Sequence, residues 1–298
     1  MSTQVNTAFV QQYSANVQML SQQMGSRLRD AVSIENVVGQ HAFIDQIGKA
    51  TAVKRTTRHG DTPQMDTPHS RRRLSLDSYE YADLVDDQDK VRMLIDPTSS
   101  YARAAAAAMG RAMDEVIISA ATGAATTNGG VESGGVASST VSLDATNNSV
   151  GSSSSNDGLT IAKLREAKRK IDLNDVDPSI PRYIAVGPKQ IEDLLGTTEV
   201  TSSDFNTIKA LVQGDVDTFM GFRFIMTNLL AIDSNDIRKC FAWAEDGITL
   251  GVGKDIMARI DERADKGYAT QVYYCMDIGA VRMEEAKVCQ IFCDETPD

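Results

Sequence analysis

The stretch "DPTSSYARAAAAAMGRAMDEVIISAATG", residues 96–123, constrains this chain more than any other. Asp96 and Pro97 form a helix start, an N-cap carboxylate followed by a proline at the first helical position. Only Gly110 interrupts the run before Gly123 offers a stop. The alanines raise helix propensity and let the backbone approach a neighbour closely. Tyr101, Ala105, Met109, Ala112, Val116 and Ala120 are expected on or near one face, with Arg103, Arg111 and Asp114 elsewhere. One long helix must therefore be packed by everything else in the fold.

The flanking segments are mostly extended. From Gly39 to Arg92 the texture is β-forming and charged, with "HGDTPQMDTP" as a bend, and reads as a long, exposed two-stranded excursion. So polar a hairpin cannot bury much of itself and is expected to lie on something else. The Gly/Ser-rich residues 123–158 leave two options open, a flexible linker or a short hairpin in a surface loop. Thr160 then caps "IAKLREAKRKIDL", with Ile161, Leu164 and Ile171 inward and Lys163, Arg165, Lys168, Arg169 and Lys170 outward. "RYIAVG" reads as a buried strand, and "PKQIEDLLG" as a short helix from Pro188 to Gly196. Another short helix within "TIKALVQGDVDT" leads to a strand at Phe222–Thr227, and strands close the chain. This is an α+β pattern.

Residues 1–35 read as an arm, because Phe9, Tyr13, Val17, Leu20 and Met24 recur at helical spacing among Gln and Ser. The arm packs either on its own core or on a neighbouring subunit. No secretory signal and no run long enough for a membrane helix is visible. The chain carries 30 Lys+Arg against 41 Asp+Glu, a net charge of −11, which argues against a free-standing duplex-DNA binder. An acidic wall is still compatible with enclosing nucleic acid without adhering to it.

Catalytic chemistry has no convincing seat. His59, Asp61, Asp66 and His69 sit in a proline-rich bend rather than on rigid supports, so a solvated or subunit-contacting loop is the better reading than a metal site. "GITLGVGKD" misses the phosphate-loop spacing and has Asp255 where Ser or Thr is needed, so turns between strands are expected. Cys289 and Cys293 share a strand face and read as buried thiols. The basic helix face at 163–170 lacks interleaved aromatic residues for base stacking. Neither the nucleophile elbow nor the dinucleotide fingerprint occurs. No metal, cofactor or catalytic residue is assigned.

"SRRRLSLDSYEYADLVDDQDK" puts three arginines just ahead of six acids. The two blocks either neutralise each other within one hairpin or pair with another molecule.

An arm, a two-stranded excursion, a spine helix, an α/β insertion and closing strands follow in an order that resembles the tailed-phage major capsid proteins of the Hong Kong 97-type fold. "FVQQYSANVQMLSQQMGSRLR", "TRHGDTPQMDTPHSRR", "YEYADLVDDQDKVRMLIDPTSSYARAAAAAMGRAMDEVII" and "MGFRFIMTN" carry the similarity across most of the chain. The resemblance implies an N-terminal arm at 1–38, an extended E-loop at 39–92, a peripheral domain at 93–122 and 255–298, and an axial domain at 123–254. It implies self-assembly as hexamers and pentamers into an icosahedral shell around double-stranded DNA, made in the bacterial host cytoplasm. A separate scaffolding protein and a portal are expected, and a decoration protein is left open. Subunit contacts are expected from Lys54, Arg55, Arg58, Arg71, Arg72 and Arg73 on the basic limb. Asp77, Glu80, Asp83, Asp86, Asp87 and Asp89 form the acidic limb, and Phe9, Tyr13 and Val17 the arm contacts. The rival readings are an encapsulin-type compartment shell, a soluble α/β enzyme, and a tail or decoration protein.

Overall fold

The computed structural model describes residues 22–54, 56–58, 61–62, 64–85, 98–127, 139–144, 146–151, 157–196 and 218–296, with the side chains of the long helix described from Tyr101 onward. The expected helix start at Asp96-Pro97, the short helix within "TIKALVQGDVDT" and the apolar stripe of the arm up to Leu20 lie outside these residues.

In chain order the strands and helices are β1 (Ser33–Asn36), β2 (His41–Ile47), β3 (His69–Ser75), β4 (Asp77–Val85), α1 (Thr98–Thr122), β5 (Ala125–Thr127), β6 (Ser139–Val141) and β7 (Ser149–Val150). Then come α2 (Ile161–Leu173), β8 (Arg182–Val186), α3 (Pro188–Gly196), β9 (Thr218–Phe219), β10 (Phe222–Met226), β11 (Ile237–Ala244), β12 (Ile248–Arg263), β13 (Ala269–Arg282) and β14 (Val288–Asp294). The fold is α+β. Its contacts divide into a smaller unit (1–26, 78–112 and 254–276) and a larger one (27–77, 113–253 and 277–298).

The larger unit is built on a six-stranded mixed sheet ordered β7-β14-β11-β8-β10-β9. β8 is buried along its whole length and β11 at all but one position, which is why both read as apolar runs rather than alternations. β8 and β10 are parallel, so the chain between them must cross over. Trp243 sits fully buried beside Phe241 and Tyr183, and its indole N–H donates to Ala31 O at 2.8 Å. α2 packs on β14 and β7. Its start is the expected one: the Thr160 hydroxyl accepts from the Lys163 N–H. Its inner face is not. Lys163 is buried and donates to Asp157 O and Phe292 O at 2.6 and 2.9 Å, and Lys170 reaches Thr146 O and Ser149 O. Both lysines were expected outward; here their ammonium groups are held by backbone carbonyls, and Asp157 O accepts from Lys163 in addition to the Asp294 N–H.

A second sheet in this unit, β2-β3-β5-β6, is antiparallel throughout. The β5–β6 pairing decides the Gly/Ser-rich region in favour of a short hairpin, as far as its described residues go. The two-stranded excursion closes earlier than the sequence suggests. β2 and β3 pair from His41↔Ser75 to Ile47↔His69, and the next strand, β4, belongs almost wholly to the smaller unit, where it hydrogen-bonds β13.

The helix α1 buries Ala105, Met109, Met113, Ile117 and Ala121, together with Asp114. The expected set takes a three-residue step after Met109, whereas the buried residues continue in four-residue steps, a stripe that winds slowly around a 3.6-residue helix, so Ala112, Val116 and Ala120 stand one position off it. Asp114 is turned inward by its partners: its carboxylate accepts the backbone N–H groups of Arg27 and Leu28 at 3.0–3.2 Å. In the smaller unit, Gly110 admits the backbone of residues 25–26; a Cβ there would stand 2.4 Å from Gly25 C.

Candidate functional site

The feature that sets this chain apart from a compact α+β domain is the β2–β3 hairpin. Side chains alternate along a strand, so the arginine triplet splits. Arg71 and Arg73 take the outer face, and Arg72 takes the inner face with Leu74. Directly across the ladder, the Arg71 guanidinium donates to Asp45 Oδ1 at 2.6 Å and lies 5.6 Å from the centre of the Phe43 ring. That hydrogen bond holds the exposed Asp45 carboxyl below the usual aspartate range. Arg73 Nη2 lies 2.8 Å from His41 Nε2.

Arg72 is 6% exposed. Its Nη2 donates to both Glu285 carboxylate oxygens at 2.7 and 2.6 Å, and its Nε donates to Met283 O at 2.8 Å. Glu285 also stands 3.6 Å from Nε of Arg282, a residue with no exposed surface. Arg282 in turn donates to Ala121 O and Gly123 O at the end of α1 and to Val141 O on β6, at 3.0, 2.6 and 2.8 Å. Burial, the largest influence, pulls the Arg282 guanidinium below its ordinary value. One carboxylate thus joins two buried arginines, and through them the hairpin's root, the last turn of α1 and β13. Arg72 was expected as an exposed subunit contact; the structure corrects this, because its position opposite Ile44 faces the core cluster of Val37, Leu74, Ala125 and Val281.

Glycines complete the root. A Cβ at Gly279 would lie 1.9 Å from Ser75 O, and at Gly251 and Gly253 it would lie 2.5 Å from the Leu74 and Leu76 methyls. Turns between strands were expected at "GITLGVGKD"; instead Ile248 onward runs as one continuous strand, β12, and its glycines at 251 and 253 make room for leucines at the hairpin base.

The far end of the hairpin has the opposite character. Lys54 and Arg58 are exposed and have no polar partner among the described residues. Val53 and Met65 are 58% and 47% exposed. Lys49 pairs with Asp175 at 2.8 Å, with both side chains in solvent. Arg55 and His59 lie outside the described residues. Among the described Asp, Glu, His and Cys residues, no group that could hold a metal ion occurs.

The arginine and acid blocks do not neutralise each other within the described residues. Asp77 is exposed, Glu80 accepts from the Tyr273 hydroxyl at 2.9 Å, and Asp83 accepts from Tyr81 and from the Leu84 N–H. The hydrogen bond to Glu80 leads the influences that push the Tyr273 hydroxyl up to about 12. Asp86, Asp87 and Asp89, and Phe9, Tyr13 and Val17, lie outside the described residues.

Sequence reasoning also missed a lock at the chain's end. Glu295 takes a paired hydrogen bond from Arg238 and one from the buried Gln190 at 2.8 Å. Burial alone would raise the Glu295 carboxyl, but these bonds outweigh it and hold it below its ordinary value. The signal was a lone arginine in an apolar strand, "IRKCFAWA".

A family model described as phage capsid protein matches residues 5–295. No curated protein sequence matches at a significant level. Solved phage structures share the fold. The capsid structure of the cyanophage P-SCSP1u superposes with a TM-score of 0.74 at 15% identity, covering 97% of this chain and 94% of that one. The head structure of Helicobacter pylori bacteriophage KHP40 gives 0.74 at 12% identity, covering 99% and 98%. The structure of Mycobacterium phage Che8 gives 0.68 at 14% identity, covering 95% and 97%. The fold is of the Hong Kong 97 type.

Proposed function

This chain belongs to the phage capsid protein family, and from that premise we propose that it is a major capsid protein assembling as hexamers and pentamers into an icosahedral shell around double-stranded DNA. It is a structural protein of the virion rather than an enzyme. In this reading residues 1–38 are the arm, 39–92 the E-loop, 93–122 with 255–298 the peripheral domain and 123–254 the axial domain. Assembly takes place in the host cytoplasm with a separate scaffolding protein and a portal. DNA is enclosed without sequence-specific contacts, in keeping with the net charge of −11.

The observation that carries the reading is the contrast within the hairpin. Its root is clamped by Arg72, Glu285 and three glycines, while its tip exposes Val53, Lys54, Arg58 and Met65. A tip with uncompensated charge and bare apolar surface, held on a rigid root, suits a contact with a neighbouring subunit. Lys54, Arg55 and Arg58 are the leading basic contacts. Arg71 and Arg73 keep exposed edges for a secondary contribution, and Asp77, Glu80, Asp83, Asp86, Asp87 and Asp89 offer the acidic counterpart. Each exposed pair contributes only about 0–1 kcal/mol, but repetition around a ring sets register and makes assembly sensitive to salt. The arm residues Phe9, Tyr13 and Val17 supply an apolar contact in the same scheme.

The test is expression of the chain alone and with its neighbouring phage genes, followed by negative-stain electron microscopy. Closed shells or capsomers are expected. A uniform monomer under both conditions would overturn the reading.

A further inference from the structure

The helix α2 sorts its five cations into two groups. Lys163 and Lys170 are absorbed by backbone carbonyls, and Lys170 also meets Glu166 at 3.4 Å. The second acid of the helix, Asp172, is taken by the buried Arg182 at 2.6 Å. That leaves Arg165, Lys168 and Arg169 with no hydrogen-bond or ion-pair partner among the described residues. Residues 165, 168, 169 and 172 are three or four apart, so they form one stripe. Arg165 and Arg169 stand one turn apart, a like-charge pairing that weakens a helix by itself. Together with Asp172 and the 68%-exposed Leu173 these residues line a shallow depression open to solvent.

We propose that this stripe is a docking surface for an acidic segment of a second copy of this chain; the proposal rests on the shell-forming reading above. Three features favour that occupant. The chain carries 41 acids against 30 cations, so every copy has carboxylate in excess, and an uncompensated basic stripe is its natural complement. Arginine forks match carboxylates in a paired geometry. The stripe lies open to solvent with an aliphatic edge at Leu173, so a carboxylate side chain of a neighbouring copy can reach it. A single-stranded nucleic acid would call for aromatic platforms, and no aromatic residue lines the depression, while contact with duplex phosphates is the rival that DNA retention tests.

The test uses assembled particles of the full chain. Zero-length carbodiimide coupling of a lysine to a carboxylate, followed by gel separation and peptide mass spectrometry, is expected to find Lys168 joined to an Asp or Glu within a covalently dimeric species. Arg165→Glu/Arg169→Glu is expected to lower particle yield about tenfold, with the melting temperature of the unassembled chain unchanged. If that variant does not fold, the coupling experiment on the unmodified chain decides alone. Lys168 left unlinked in well-formed particles, or variant particles at the original yield, overturns this inference and leaves the shell-forming reading intact. Variant particles that form normally but retain less DNA overturn it in favour of a nucleic-acid face. Absence of any particle from the unmodified chain overturns both readings.

Discussion

Replacing Glu285 by glutamine should damage the root of the hairpin more than any exposed substitution. The carboxylate accepts two hydrogen bonds from Arg72 and faces Arg282 at 3.6 Å. The side chains of Arg72 and Arg282 are 7% and 0% exposed, so both charges stay in the interior once Glu285 is neutralised. Arg72 Nη1 and Arg282 Nε have no hydrogen-bond partner among the described residues even with Glu285 in place. Breaking one partner of a buried ion pair costs about 3–5 kcal/mol. The Glu285 side chain keeps 23% of its surface exposed, so water relieves one edge and the lower end, about 3 kcal/mol, is expected. For a domain of this order of size that lowers the melting temperature by roughly 6–12 °C. The assay is thermal and urea unfolding of the unassembled chain, with Arg72→Met and the double variant completing a cycle. Arg72→Met should cost less than Glu285→Gln, because it removes a buried charge instead of stranding one. The double variant should be more stable than the sum of the two predicts. Melting of Glu285→Gln within about 1 °C of the original, or strict additivity, would refute the claim that these residues act as a unit.

Three further outcomes follow from the same geometry. Gly279→Ala places a Cβ 1.9 Å from Ser75 O and should destabilise the larger unit by about 1–3 kcal/mol, read as a lower urea midpoint. Asp114→Ala strands the N–H groups of Arg27 and Leu28 and should cost about 2–4 kcal/mol, with faster amide exchange at both positions. Because Glu295 is held below its ordinary 4.5, its contribution is complete above that pH and is lost as pH falls through the depressed value; Glu295→Gln should flatten the acid limb of the stability profile, and an unchanged limb would contradict the lock.

What could be read from the sequence is what depends on near neighbours. The Thr160 cap, the Pro188–Gly196 helix, the buried run of β8 and the thiol face of β14 are set by residues within a turn or two of each other, and each stands where its pattern puts it. The misread residues owe their placement to distant partners. Arg72 meets Glu285 213 positions away, Lys163 meets Phe292 O 129 away, and Asp114 meets Arg27 N 87 away. A charged side chain looks solvated until the group that satisfies it is known. The excursion's early end at Ser75 has the same cause, since nothing local to Asp77–Val85 says that it pairs with β13. Of the candidate contact residues, the hairpin separates Arg72 from Lys54 and Arg58, a distinction that strand alternation hinted at in "SRRRL" but could not orient.

The most direct test of the whole account is a cryo-electron microscopy reconstruction of particles formed by the full chain. The account predicts five- and six-membered rings in which each hairpin tip, with Lys54 and Arg58, rests on a neighbouring copy beside acidic side chains. A closed shell with every tip in solvent would contradict the role given to the hairpin, and a monomer would contradict the shell itself.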